Sequence, residues 1–219
     1  LVIVGDGETA QLAHEYFTMD SPHEVVAFSV EQAFLKQTEQ EGLPVVPFEG
    51  VENVYNPTDF RIFVAVSSTK LNRPRARLYR ACKEKGYKPV SYISSKAFVW
   101  RTAEIGENCF IFENNVIQHK VKIGDDVTLW SGNHVGHRTV IGDHCFISSH
   151  CVISGFCEIG ESSFIGVNST FADNIKVGRD CLIGAGALIT TSTKPGTIYP
   201  GANTKPSSIG SLQFFGITE

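Results

Sequence analysis

Two histidines, His119 and His137, stand eighteen positions apart, and Arg101, Gly155 and Asp173 continue the same spacing on either side. In a chain that folds with an 18-residue repeat, such a series forms one outward column. Its residue types suit acyl transfer to an amine. An imidazole can accept the proton of the attacking nitrogen, and a glycine leaves open space and a backbone N–H for the oxyanion that develops on the carbonyl. His137 with Gly155 one coil on is the candidate pair. His119, one coil below, assists, lines the pocket or merely stacks. His134 belongs to another column, between Val116 and Val152, where it contacts substrate or an interface. His144 faces Asp126 and His150 stands between Gly132 and Asn168, both in structural positions, and nothing marks out His14 or His23.

The element that builds such columns is visible as a repeat. Every sixth residue from Ile105 to Ile189 is large and apolar, fifteen positions without a break, and a smaller residue lies two places before each. Alternating side chains put both on one side of a strand. One large and one small inward residue per hexad fit a narrow three-sided parallel coil, with about five turns of 18 residues. Stacked strands lie about 4.8 Å apart, so Ile105, Ile123, Ile141, Ile159 and Val177 form one ladder of the core. The glycine after the large residue, as at Gly106, Gly124 and Gly136, is expected to supply a corner conformation that a Cβ hinders. Cys109, Cys145, Cys151, Cys157 and Cys181 all fall on the small inward position and read as core residues rather than metal ligands or nucleophiles. Cys82 lies outside the ladder, without a nucleophile's context.

The first 98 residues follow a different pattern, that of a small α/β Rossmann-like domain. Apolar runs at Leu1 to Val4, Val25 to Phe28 and Ile62 to Val66 alternate with helix-like segments such as Arg75 to Lys85, which Gly86 ends. Glu41 to Thr58, with three prolines, reads as an irregular excursion. Val90 to Ile93 supplies a further strand before the hand-over near Trp100. The expected units are therefore 1–98, a coil over 99–192, and a loop and tail over 193–219. Gly5 to Ala10 resembles G-x-G-x-x-A, which either holds a phosphate at the helix start or makes a tight turn. The acidic residue a dinucleotide site needs after the second strand is missing, since Ser29 and Val30 follow Phe28, so a dinucleotide cofactor is disfavoured.

Composition narrows the class further. With 19% charged residues and a net charge of −4, no broad basic surface points to nucleic acid. No apolar run approaches the roughly 20 residues of a membrane span. The opening LVIVGDGETAQLAHEYF lacks the basic flank and cleavage site of a signal peptide, so a cytoplasmic protein is expected, with the missing Met pointing to a few residues trimmed in front.

The hexads of Ile/Val-Gly-x-x-x-x from 103 to about 190, the motif Asn133-His134-Val135-Gly136-His137 and the later Pro195-Gly196-Thr197-Ile198-Tyr199-Pro200-Gly201 together resemble the hexapeptide-repeat, left-handed β-helix sugar O- and N-acetyltransferases. The likeness is to those acting on nucleotide-linked 4-amino-4,6-dideoxy sugars of bacterial surface glycans. The resemblance implies left-handedness, a homotrimer with clefts between coils, acetyl-CoA as co-substrate, no metal, and His137 as general base. It also implies an acidic residue after that histidine to orient it, where this chain has Arg138. Gly155, Val167 and Ala185 would line the coenzyme A cleft, with Lys194 and Lys205 in the closing loop. Gly5, Gly7, Glu8, Ser67, Ser68 and Arg75, with His119 and His134, would meet the sugar nucleotide. O-acetylation of a sugar such as a sialic acid remains open, as does a non-catalytic scaffold that binds a sugar nucleotide. A zinc hydratase of the γ-carbonic anhydrase kind is disfavoured, because His134 and His137 are three apart and differ in column.

Overall fold

The computed structural model describes residues 1–217. It opens with a sheet of strands β1 (Val2–Val4), β2 (Ala27–Val30), β3 (Glu39–Gln40), β4 (Leu43–Pro47) and β5 (Ile62–Val64), in the order β3-β4-β2-β1-β5, parallel except for the antiparallel edge strand β3. Helix α1 (Glu8–Asp20) packs Ala10, Ala13 and Phe17 on one face against Ile3, Phe28 and Phe63. A short helix α2 (Val51–Val54) follows β4, and helix α3 (Arg73–Glu84) packs Leu78, Tyr79 and Cys82 on the other face against Val2, Ile62 and Val64. The segment read as an irregular excursion is instead partly strand. β4 runs parallel to β2, and prolines are tolerated there because its far side meets only the two-residue β3, an edge position.

From Tyr92 onward the chain winds into a parallel coil of eighteen two-residue strands, β6 (Tyr92–Ile93) to β23 (Ile198–Tyr199). They form three sheets of seven, six and five strands, in the left-handed β-helix that the resemblance implies. Strands pair 18 residues apart, for example Ile123 with Ile141 and Ile141 with Ile159, except the last pair, Leu182 with Ile198, at 16. The large and small inward residues make one continuous core, with all five ladder cysteines buried in it. The coil starts about one strand earlier than the 99 boundary: Tyr92 and Ile93 already pair with Phe110 and Ile111. Tyr92 also packs with Phe17 and Phe63 in the first domain's core, so the apolar run at 90–93 serves both units.

Corner chemistry differs from expectation. The glycines that follow the large residues are needed for close stacking rather than for their own dihedral angles. A Cβ on Gly124 would lie 2.8 Å from the Asp143 nitrogen, and one on Gly166 would lie 2.6 Å from the Ala185 nitrogen in the next coil. The left-handed turn falls three residues after each large one, at Asn108, Lys120, Asp126, Arg138, His144, Phe156 and Asp180 among others, with φ from +54° to +60°.

Burial pushes the Cys109 and Cys145 thiols up to about 12 and that of Cys151 up to about 11. Thiolate, the reactive form, is therefore suppressed. We expect Ellman's reagent to titrate none of the six buried cysteines in the native protein and all of them after unfolding in guanidinium. Rapid native reaction of any one would contradict its core assignment.

The two units are clamped along one corner of the coil. Asn108, Asp126, His144, Ser162 and Asp180 form the column, and β5 and α3 with the turn before it contact every member. The Val64 N–H donates to Asn108 Oδ1 (2.7 Å), Asn72 Nδ2 donates to the His144 carbonyl (2.8 Å), and Arg73 bonds Ser162 Oγ (2.7 Å) and pairs with Asp180. Arg80 donates to His144 Nε2 (3.0 Å), which leaves Nδ1–H to donate to Asp126 Oδ2 (2.8 Å).

Candidate functional site

His137 and Gly155 lie on the corner between the six-stranded and five-stranded sheets, and the expected column forms. The rings of His119 and His137 stack at 5.6 Å and 11°. The His137 ring also rests over Gly155: a Cβ there would lie 2.6 Å from Cε1 and 2.8 Å from Nε2, so only glycine leaves room for it. The residue after it, Phe156, presents its ring edge-on to His137 at 5.0 Å, although a bulky side chain at φ +56° is uncommon. The His137 backbone N–H donates to Gln118 Oε1 (2.9 Å), and Nδ1 faces the same oxygen at 3.3 Å. No partner engages Nε2 among the described residues. One expected role fails on geometry. The Gly155 N–H donates to Asp173 Oδ1 (2.8 Å), so it is already engaged by a carboxylate that would repel an oxyanion. Gly155 provides space for the imidazole instead.

The expected coenzyme A residues divide between two corners of the coil. Gly155 shares the corner of His137, whereas Val167 and Ala185 lie on the next corner, between the seven-stranded and six-stranded sheets. The six-stranded sheet separates them and presents Phe98, Val116, His134, Val152, Thr170 and Leu188 outward. Phe98, Val152 and Leu188 on it are exposed, and His134 sits half-buried at its centre. The five-stranded sheet carries instead the ion pairs Lys122–Glu104 and Lys176–Glu158, and the seven-stranded sheet is partly covered by the first domain through Phe110 and Phe112. Lys194 is exposed in the turn between β22 and β23, and Lys205 is exposed in the segment after β23.

In the first domain a cavity of about 510 Å³ opens where the strands β1, β2 and β5 end, the place where open α/β sheets bind ligands. Gly5 lines it, at φ +126° and so close to the Ala65 carbonyl that a Cβ would sit 2.5 Å from that oxygen. Asp6, Ser29, Glu31, Lys70, Arg73 and Arg77 join it, six polar side chains absent from the expected set. Glu31 is the acidic residue that appeared to be missing after the second strand. β2 continues to Val30, so the carboxylate stands at its end, held by both guanidinium nitrogens of Arg77 at 2.8 and 2.7 Å.

Val66 also borders a smaller hollow of about 160 Å³ lined by Thr9, Ser67, Ser68, Thr128 and Trp130, where the buried indole N–H of Trp130 has no partner among the described residues. Gly7 is the exposed N-cap of α1, and Glu8 lines a separate hollow of about 400 Å³ with Gln11 and Glu15 rather than the cavity. Arg75 is a correction. It is 2% exposed, with Nε 3.1 Å from Asp126 Oδ1 and its other nitrogens on the Asn108 and Asp126 carbonyls and Thr128. Buried among these partners, it lines neither the cavity nor the smaller hollow.

Residues 102–137, 120–155 and 156–191 match the family model described as bacterial transferase hexapeptide (six repeats). Among solved structures, the chain is similar to the acetyltransferase domain of PglB from Neisseria gonorrhoeae FA1090, at 27% identity and TM-score 0.81, over 94% of this chain and 98% of that one. That domain has also been solved in complex with acetyl coenzyme A. PerB from Caulobacter crescentus, solved with CoA and GDP-perosamine, is similar in fold at 24% identity and TM-score 0.81, over 90% of this chain and 91% of that one. WeeI from Acinetobacter baumannii AYE is similar at 20% identity and TM-score 0.74, over 91% and 95%. No curated protein sequence matches the chain.

Proposed function

We propose that this chain, whose coil matches the bacterial transferase hexapeptide model over residues 102–191, moves the acetyl group of acetyl-CoA onto the amine of a nucleotide-linked deoxyamino sugar, for use in a bacterial surface glycan. The observation that carries this reading is the His137 imidazole, seated over Gly155 with Nδ1 engaged and Nε2 unengaged. Nε2 accepts the proton of the attacking nitrogen as the C–N bond forms, and the thioester C–S bond breaks to release the CoA thiol. The cavity beside Gly5, Glu31 and Lys70 suits a nucleoside diphosphate, with the Lys70 ammonium for a phosphate and Arg73 and Arg77, paired with Asp180 and Glu31, in its wall. The adjoining hollow offers Ser67, Ser68 and the Trp130 N–H to the sugar.

Neither cavity includes His119 or His137. The His137 corner and the Val167–Ala185 corner flank the same apolar sheet, and a second copy covering that sheet would bring one chain's histidine to its neighbour's cleft. A homotrimer, as the resemblance implies, supplies such copies.

Incubating the purified protein with acetyl-CoA and UDP-, dTDP- or GDP-linked 4-amino-4,6-dideoxy sugars should release CoA with at least one of them and yield the N-acetyl product. CoA release only with hydroxyl acceptors such as sialic acid would favour O-acetylation. No release with any acceptor, despite binding of a sugar nucleotide, would favour a scaffold.

A further inference from the structure

We propose that Gln118 is the positioning residue that fixes the tautomer of His137, doing with a neutral amide what an acidic side chain at position 138 would otherwise do. This rests on His137 acting as the base. Gln118 follows the strand Val116–Ile117, and its own N–H donates to the Val135 carbonyl (3.1 Å), so its backbone is fixed by the ladder two residues before His137. The half-buried side chain spans the gap to the next coil, and one oxygen does two jobs. Oε1 accepts the backbone N–H of His137 at 2.9 Å and faces Nδ1 at 3.3 Å.

The pairing settles a question of protonation that distances alone leave open. A backbone N–H can only donate, so the amide atom facing it must be oxygen. An amide oxygen can only accept, so the imidazole nitrogen facing that oxygen must carry the proton. Nδ1 is therefore N–H, and the lone pair lies on Nε2, the nitrogen a base needs. Arg138 does not compete, because its left-handed backbone carries it outward, with its guanidinium 6.0 Å from the centre of the Phe156 ring.

A neutral partner orients the ring but adds no negative charge to stabilise the imidazolium. That gives the proposal a signature that a merely structural glutamine would lack. Gln118→Glu keeps the acceptor for both donors and adds an anion beside Nδ1, which favours the charged imidazole. The acidic limb of kcat/KM against pH should then move up by about one pH unit. Gln118→Leu removes the acceptor, so kcat should fall about tenfold or more while KM for both substrates stays within about twofold, the pattern of an interaction realised in the transition state.

Nitrogen NMR of the histidine-labelled protein provides a readout independent of activity. The wild type should show His137 as the Nδ1–H tautomer, and Gln118→Leu a mixture. An unmoved pH profile in Gln118→Glu together with an unchanged kcat and tautomer in Gln118→Leu would overturn the proposal. His137→Ala run alongside separates the two levels. If it is inactive while both Gln118 variants behave as wild type, Gln118 is structural and the base assignment survives. If it is fully active the base assignment fails, and the tautomer spectra still decide whether Gln118 holds the ring.

Discussion

Replacing His137 with alanine is expected to lower kcat by about 10²–10⁴, the usual contribution of a positioned general base. At 1.36 kcal/mol per decade this is roughly 3–5 kcal/mol of transition-state stabilisation. KM for acetyl-CoA and for the sugar nucleotide should change little, because a general base acts on the proton of the attacking amine rather than gripping either substrate. Folding should survive. The side chain is only half-buried and lies outside the coil's core, so its loss leaves no cavity there. His119→Ala is the informative control. Its ring stacks on His137 at 5.6 Å, yet it is exposed and contributes no hydrogen bond to the histidine above it. A loss of no more than a few-fold is expected there. Equal losses in the two variants would assign the chemistry to the pair, and a fully active His137→Ala enzyme would remove the base from this corner.

The coil was legible in the chain because its rule is local and repeated. A residue's place in the hexad decides whether it points inward, and eighteen positions decide what it stacks on, so the core cysteines and the His119–His137–Gly155 column follow by counting. Side-chain contacts between coils do not follow from that rule. Gln118 reaches His137 across nineteen positions, and Asp173 reaches the Gly155 N–H from one coil further on. Both depend on the rotamer of a long or polar side chain at a corner, which periodicity does not encode. The corner glycines were found for an incomplete reason, since the sequence marks where a Cβ is forbidden but not whether its own backbone or the next coil forbids it.

The first domain was less legible because its strands are short and unrepeated. Ending β2 at Phe28 rather than Val30 hid Glu31, although Ser29 and Val30 continue a buried strand. A continuous buried run rather than alternation is the pattern of a parallel strand covered on both faces, and reading on by two residues would have recovered the carboxylate. Arg75 was misassigned for a related reason. An arginine near the start of a helix beside a presumed phosphate site looks available to substrate, and nothing in the local sequence shows that Asp126, fifty-one positions later, will bury it.

That burial makes the energetic claim on Arg75 a large one. Its guanidinium lies 3.1 Å from Asp126 Oδ1, with the two side chains 3% and 0% exposed, and the carboxylate also accepts from Asn108 Nδ2 (2.7 Å) and His144 Nδ1 (2.8 Å). Removing one partner of a buried pair leaves the other charge uncompensated, typically at about 3–5 kcal/mol. Arg75→Met should therefore lower the unfolding free energy by that order and the melting temperature by on the order of 10 °C for a chain of this size, measured by urea titration and calorimetry. Arg75→Lys should recover little, because an ammonium cannot reproduce a planar fork that reaches the carboxylate, two carbonyls of the coil and Thr128 together. The double variant Arg75→Met with Asp126→Leu should regain part of the loss, since no buried charge then remains at that position. If Arg75→Met instead melts like the wild type and raises KM for the sugar nucleotide alone, Arg75 faces substrate in solution and the clamp lies elsewhere on α3. The expected result makes the first-domain cavity and the coil one unit, because Arg75 fixes the position of the domain that carries the cavity rather than lining it.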